Sequence, residues 1–131
     1  MERHNVASGS TWEPIVGYSR AVRVGPWIAV AGTAAADERG DVVAPGDAYG
    51  QTVYIFRKIE TALEKAGASL EDVVRTRMFV RNIDDWKEVG RAHAEFFREV
   101  RPAATLIQVA GLLDPRMLVE IEVDAIRADS P

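Results

Sequence analysis

The stretch VRPAATLIQVAGLLDPRMLVEIEVDAI, Val100 to Ile126, ends in an alternation that decides the architecture. In LVEIEVDAI, Val119, Ile121, Val123 and Ala125 take one parity; Glu120, Glu122 and Asp124 take the other. A period of two marks a strand with one buried face. The three acids share the opposite face, where carboxylates persist only if solvated or matched by cations. Along Val73 to Arg81 the residues Arg75, Arg77, Phe79 and Arg81 alternate in the same way. Cross-strand neutralisation of Glu122 and Asp124 is therefore expected. Glu120 stands nearest the Asp114-Pro115 turn, where a cleft can form and a carboxylate can position water or accept a proton.

Upstream, residues 1–16 carry Ser8, Gly9, Ser10, Thr11 and Pro14 with little periodicity and read as an irregular arm. Ala21, Val22 and Val24 lead through Gly25-Pro26 to Trp27–Val30, the pattern of a hairpin. Asp37–Asp41 is a turn opening a loop to Pro45-Gly46. Thr52, Ile55, Phe56, Ile59, Leu63 and Ala66 then recur at three and four, one helical face, with Asp47 as cap and Gly67 as stop. After a short turn at Ser69–Asp72 comes the Val73–Arg81 strand. A second helix starts at Asp84 or Asp85, with Asp85 and Glu88 at capping-box spacing. Its apolar face is Trp86, Val89, His93, Phe96 and Val100, and Pro102 ends it. Thr105–Val109 and Met117–Ile126 complete the strands.

The expected order is β-β-(β)-α-β-α-β-β in one domain, 1–131. This is an α/β (α+β) architecture, a single mixed sheet with two helices on one face. The other sheet face is left uncovered, yet its residues are not uniformly polar. Self-association with the sheets packed inward is the expected remedy.

With 47% hydrophobic and 27% charged residues, the 131-residue chain can bury a core without staples. It has no cysteine, which excludes disulfides, thiolate metal sites and cysteine nucleophiles. The net charge of -4 and the scattered basic residues argue against a nucleic-acid partner. There is no run of 18 apolar residues and no apolar leader core, so no membrane partner and a cytoplasmic location are expected. G-x-S-x-G, a phosphate loop and H-E-x-x-H are all missing. His93 reads as a packed core or interface histidine, since no second ligand lies at metal spacing; no metal is expected. Tyr18 is either a packed aromatic or a pocket wall, and Trp12 and Glu13 of the arm have the same two readings.

The pieces GYSRAV (17–22), AVAGT (29–33), ASLEDVVRTRMFVRNIDDW (68–86), AHAEFF (92–97), RPA (101–103) and VEIEVDAI (119–126) occur in an order and spacing that resembles the Rid family. That family is also called YjgF/YER057c/UK114, with the older label L-PSP endoribonuclease. The resemblance implies a chorismate-mutase-like fold and a homotrimer, three sheets lining a barrel with small-molecule clefts between subunits. It implies hydrolysis of enamines and imines such as 2-aminoacrylate, with no cofactor.

An imino acid carries a carboxylate, and a guanidinium is its natural bidentate clamp. Active members place that arginine after Pro-Ala; here the position is Ala104. The family glutamate that holds water matches Glu120, and the cleft tyrosine matches Tyr18. A family serine before glycine is replaced by Ala31, before Gly32, and a helix-two asparagine by Gly90. Thr105 and Leu106 follow Ala104 along the same cleft segment. Losing the clamp costs about 2 to 5 kcal/mol of binding, about 30-fold to several-thousand-fold. Weak or absent turnover of 2-aminoacrylate is therefore expected. Arg20, Arg101 and Arg116 are the candidates for an alternative clamp, Arg116 otherwise being a solvated turn residue.

Two functions compete. One is an enamine or imine hydrolase in which Glu120 directs water and the pocket is more apolar than usual. The other is a non-catalytic trimer that only binds a metabolite. RNA cleavage rests on the family's older label alone.

Overall fold

The computed structural model describes residues 1–128. Nine main elements follow in chain order. They are β1 (Arg3–Val6), α1 (Trp12–Val16), β2 (Ala21–Val24), β3 (Trp27–Ala34), α2 (Ala48–Lys65), β4 (Val73–Val80), α3 (Trp86–Phe97), β5 (Ala103–Gln108) and β6 (Val119–Ile126). The six strands form one sheet in the order β1-β2-β3-β6-β4-β5. Only β4 and β5 run parallel; the other neighbours are antiparallel. This is the single mixed sheet with two main helices that the sequence pattern predicts.

The last strand lies at the centre, between β3 and β4. Val119, Ile121, Val123 and Ala125 are all buried under the helices, together with Ile28, Val30, Met78 and Val80. From α2 the core receives Ile55, Phe56, Ile59 and Leu63, as its three-and-four spacing requires. Asp47 caps α2 by accepting from the Gly50 N–H at 2.9 Å. Gly67, at φ +82°, lets the chain leave the helix in the left-handed region. Among the described residues no helix is long and apolar enough to cross a membrane.

Three expectations are corrected. The N-terminal arm is not irregular: Arg3–Val6 pairs antiparallel with β2, Arg3 opposite Val24, and Trp12–Val16 forms a helical turn. Only Val6 of β1 is buried, so an edge strand held by backbone pairing has no alternation to show. The proposed third strand is a single bridge, Ala36 to Val42. The Asp85–Glu88 capping box does not form. Asn82 instead accepts from the Asp84 N–H at 2.9 Å, a short 3-10 turn leads into α3, and Glu88 pairs with Arg91 at 2.7 Å.

Helix α3 buries Val89, Ala92 and Phe97, with Phe96 and Val100 of the expected face packed against the core and Trp86 exposed. His93 is a core histidine. Its ring lies 5.7 Å from Phe56 and 4.9 Å from Phe97, and Nε2 is 2.9 Å from Thr76 Oγ1. Burial lowers its pKa, favouring the neutral ring.

Phe56 is fully buried and meets Phe96, Phe97 and His93, tying α2 to α3. Phe56→Ala is expected to cost about 3–5 kcal/mol in denaturant unfolding, with an unchanged m-value. A loss below about 1 kcal/mol would contradict this packing account.

Candidate functional site

The open face of the sheet, opposite the helices, carries the charged alternation. Phe79 pairs with Glu120, Arg77 with Glu122, and Arg75 with Asp124. Arg77 Nη1 lies 3.4 Å from Glu122 and 3.1 Å from Asp124, so these two acids are neutralised across the strands. Trp27, Ile107 and Ile126, in register with this face, are each about half exposed.

Glu120 has no such ion pair. It pairs with Ala34, next to the slip in register between Val30 and Thr33, a bulge that contains Ala31 and Gly32. A Cβ on Gly32 would lie 2.5 Å from Glu120 Oε2, so only glycine allows the carboxylate this position. Burial raises the Glu120 carboxyl pKa; the nearby Arg20 charge opposes that and Glu122 adds to it, leaving it above the ordinary value.

Arg20 is the residue that organises this corner. It is 6% exposed. Its Nη1 donates to Gly32 O at 2.8 Å and to Thr33 Oγ1 at 2.9 Å, and its Nη2 donates to the Tyr18 hydroxyl at 3.2 Å. With Nη2 already donating to it, the phenol is left free to donate its own proton elsewhere. Tyr18 is set by the end of α1, where Gly17 (φ +89°) and Tyr18 both donate their N–H to Glu13 O. Glu13 itself is buried. Burial pushes its carboxyl up, but donors from Ser8 and Ser10 outweigh this and hold it below its ordinary value. Trp12, by contrast, is exposed.

The structure thus gathers Tyr18, Arg20, Ala31, Gly32 and Glu120. The remaining candidates lie elsewhere. Ala104, Thr105 and Leu106 are on β5, the edge strand, beyond β6 and β4 from β3. Three strand spacings make about 14 Å. Ala104 and Leu106 are in register with Thr76 and Met78, which are buried on the helix face, whereas Glu120 is on the open face. Gly90 is on α3 with open space around it, and Arg101 is exposed at φ +54° before β5. Arg116 forks onto Asp114, Nη2 at 2.9 Å and Nε at 3.1 Å, and its hydrogen bonds hold the Asp114 carboxyl down to about 2. Within one copy of the chain the two clusters of candidate residues therefore stay apart.

Gln51 is a positioning residue that periodicity did not single out. It is fully buried, donates to Arg116 O at 2.9 Å and accepts from the Leu118 N–H at 2.8 Å. It ties α2 to the segment that leads into Glu120. An amide inside an otherwise apolar helical stripe was the available signal. No group of three or more His, Cys, Asp or Glu among the described residues could hold a metal ion.

The raised Glu120 pKa has a stability consequence. The unfolded chain ionises this carboxyl at its ordinary value of 4.5, and the fold only at higher pH. Above the folded value Glu120 costs stability; below 4.5 both states are protonated and the cost vanishes. Glu120→Gln should therefore raise the Tm at neutral pH, with a gain that shrinks as pH falls. A gain that grows in acid would contradict the burial of this carboxylate.

Comparison with known proteins places this geometry in a wider group. The family model described as endoribonuclease L-PSP matches residues 9–127. An uncharacterized protein of Streptomyces coelicolor is 44% identical over 123 residues, 93% of this chain and 90% of its own. The 3-aminoacrylate deaminase RutC of Acinetobacter baylyi is 36% identical over 121 residues, 92% of this chain and 95% of its own. The crystal structure of a YjgF/YER057c/UK114 family member from Mycobacterium tuberculosis is 47% identical with a TM-score of 0.87, covering 95% of this chain and 99% of that one. With its single sheet, its two main helices and a match across nearly its whole length, the chain belongs to the Rid, or YjgF/L-PSP, family.

Proposed function

We propose that the protein is an enamine or imine deaminase-type hydrolase working in a cleft shared between copies of the chain, in a homotrimer. The observation that carries this reading is Glu120, a half-buried carboxylate seated over Gly32 beside the Arg20–Tyr18 pair. The relation to a 3-aminoacrylate deaminase supports the reaction class. The separation of Ala104 and Leu106 from Glu120 within one chain supports a shared cleft. The half-exposed apolar residues of the open face support burial against further copies.

The chemistry needs a base and a water. Glu120 takes a proton from water as the oxygen bonds to the imine carbon. That proton passes to nitrogen and completes the carbinolamine; Glu120 then takes the hydroxyl proton and delivers it to nitrogen as the C–N bond breaks, so that ammonia leaves a carbonyl product. An enamine first gains a proton on carbon and loses one from nitrogen to become the imine. A carboxyl pKa above the ordinary range makes Glu120 a stronger base near neutral pH. Tyr18 donates its free proton to the developing polar group. No residue of this chain acts through a cofactor or metal in this scheme.

Ala104 sets the substrate. Without a guanidinium there, a carboxylate substrate such as 2-aminoacrylate is held weakly, and a less charged or more apolar one fits Ala31, Ala104 and Leu106 better. Arg20 and Arg101 are the cations left to receive an anion, since Arg116 is engaged by Asp114. The missing clamp also favours the second reading, a trimer that binds a metabolite without turnover. The net charge of -4 does not favour RNA cleavage.

Imine hydrolysis assayed with amino-acid oxidase products should separate these readings. The native protein is expected to be slow on 2-aminoacrylate and Ala104→Arg at least about tenfold faster. Glu120→Gln in that background should abolish turnover while the oligomer persists. Ala104→Arg protein with no activity on any imino acid would favour binding alone, and an active Glu120→Gln variant would remove Glu120 from the chemistry.

A further inference from the structure

Beside α2 lies a cavity of about 290 Å³ that shares Arg20 with the candidate site. One wall is a polar stripe of α2: Tyr54, Lys58, Thr61 and Lys65, spaced four, three and four apart. Val6, Ala7, Ser8 and the Ala36–Glu38 loop face it, and Arg20 forms its floor. The volume suits a small metabolite.

Its charges are not matched. Lys58 is half-buried; its Nζ donates to Ala36 O at 3.0 Å and stands 6.0 Å over the Tyr54 ring, with no second hydrogen-bond acceptor among the described residues. No described carboxylate forms an ion pair with Lys58 or with Arg20. Arg20 Nε is buried with no hydrogen-bond partner among the described residues. Burial first, and the Arg20 charge second, lower the Lys58 pKa against weaker pulls from Glu38, Glu13 and Asp37. All three pull on Lys58 more weakly than burial and Arg20 push against its charge, because each is engaged elsewhere or exposed. Glu13 is held by Ser8 and Ser10, Asp37 accepts from the Arg39 and Asp41 N–H groups, and Glu38 is exposed on the rim. Two neighbouring cations at one enclosed wall leave a positive potential that an anion would relieve.

We propose that this cavity is a second binding site, for a small monocarboxylate with a short apolar body. The carboxylate lies on Lys58 Nζ within reach of Tyr54, and the body rests on Val6 and Ala62. Asp37 and Glu38 at the mouth disfavour a dianion. The site shares Arg20 with the Glu120 corner, and its own anchor is Lys58, which has no contact there.

The test is an NMR titration with butyrate, following the side-chain signals of Lys58 and the Arg20 Nε–H, with chloride as the ionic control. A saturable shift at both is expected, absent with chloride and weaker with inorganic phosphate. Lys58→Met should weaken binding by about tenfold or more, and Glu120→Gln, which removes a negative charge near Arg20, should not weaken it. If Lys58→Met fails to fold, the native protein still decides: bound butyrate must raise the pH at which Lys58 titrates. No saturable shift, tighter binding of phosphate, weaker binding in Glu120→Gln, or an unmoved Lys58 titration would overturn the proposal.

Discussion

Everything in this fold turns on the placement of β6. It is the last strand in sequence and a central one in space, paired on both edges by β3 and β4. Its even burial of Val119, Ile121, Val123 and Ala125 leaves no freedom in register, since a slip of one residue would drive three carboxylates under the helices. The acids are consequently forced onto the open face. There Glu122 and Asp124 meet Arg77, and Glu120 passes beyond the reach of that guanidinium to the bulge in β3. A structural requirement of the core thus delivers a carboxylate to the candidate site.

The site half around Glu120 is held by backbone and by one buried cation. Gly32 makes room for the carboxylate, and Arg20 grips the Gly32 carbonyl, Thr33 and the Tyr18 phenol together. These contacts cross from β2 to β3 and back to the segment that follows α1. Gln51 fixes the approach to β6 from the helix side. A carboxylate placed this way, half-buried and without an ion pair, is costly to the fold and suited to proton transfer.

The alternation of β6, the Gly25-Pro26 hairpin and both main helices were legible in the sequence because each buries one face at a fixed period. The strand β1 was not, since a single buried residue, Val6, leaves no pattern. Nor could local sequence show that β6 inserts between β3 and β4 or that β5 lies parallel to β4, since both pairings join distant segments. Among the site residues, Glu120 and Tyr18 were readable through their motifs. Arg20 was one of three candidate clamps in the sequence, and only its burial and its three acceptors reveal its place. The division of the candidate residues between two faces was equally hidden, because VEIEV and RPAAT read as neighbouring motifs in the chain.

The central claim is that the Tyr18–Ala31–Glu120 half of one copy meets the Ala104–Leu106 half of another. The chain has no cysteine, so thiols can be introduced without background. Protein carrying Ala31→Cys and Leu106→Cys should be treated with a short thiol-to-thiol cross-linker and run under denaturing conditions. The account predicts covalent species of two and three chains, with either single variant remaining at one chain length. Double-variant protein that stays at one chain length would contradict it.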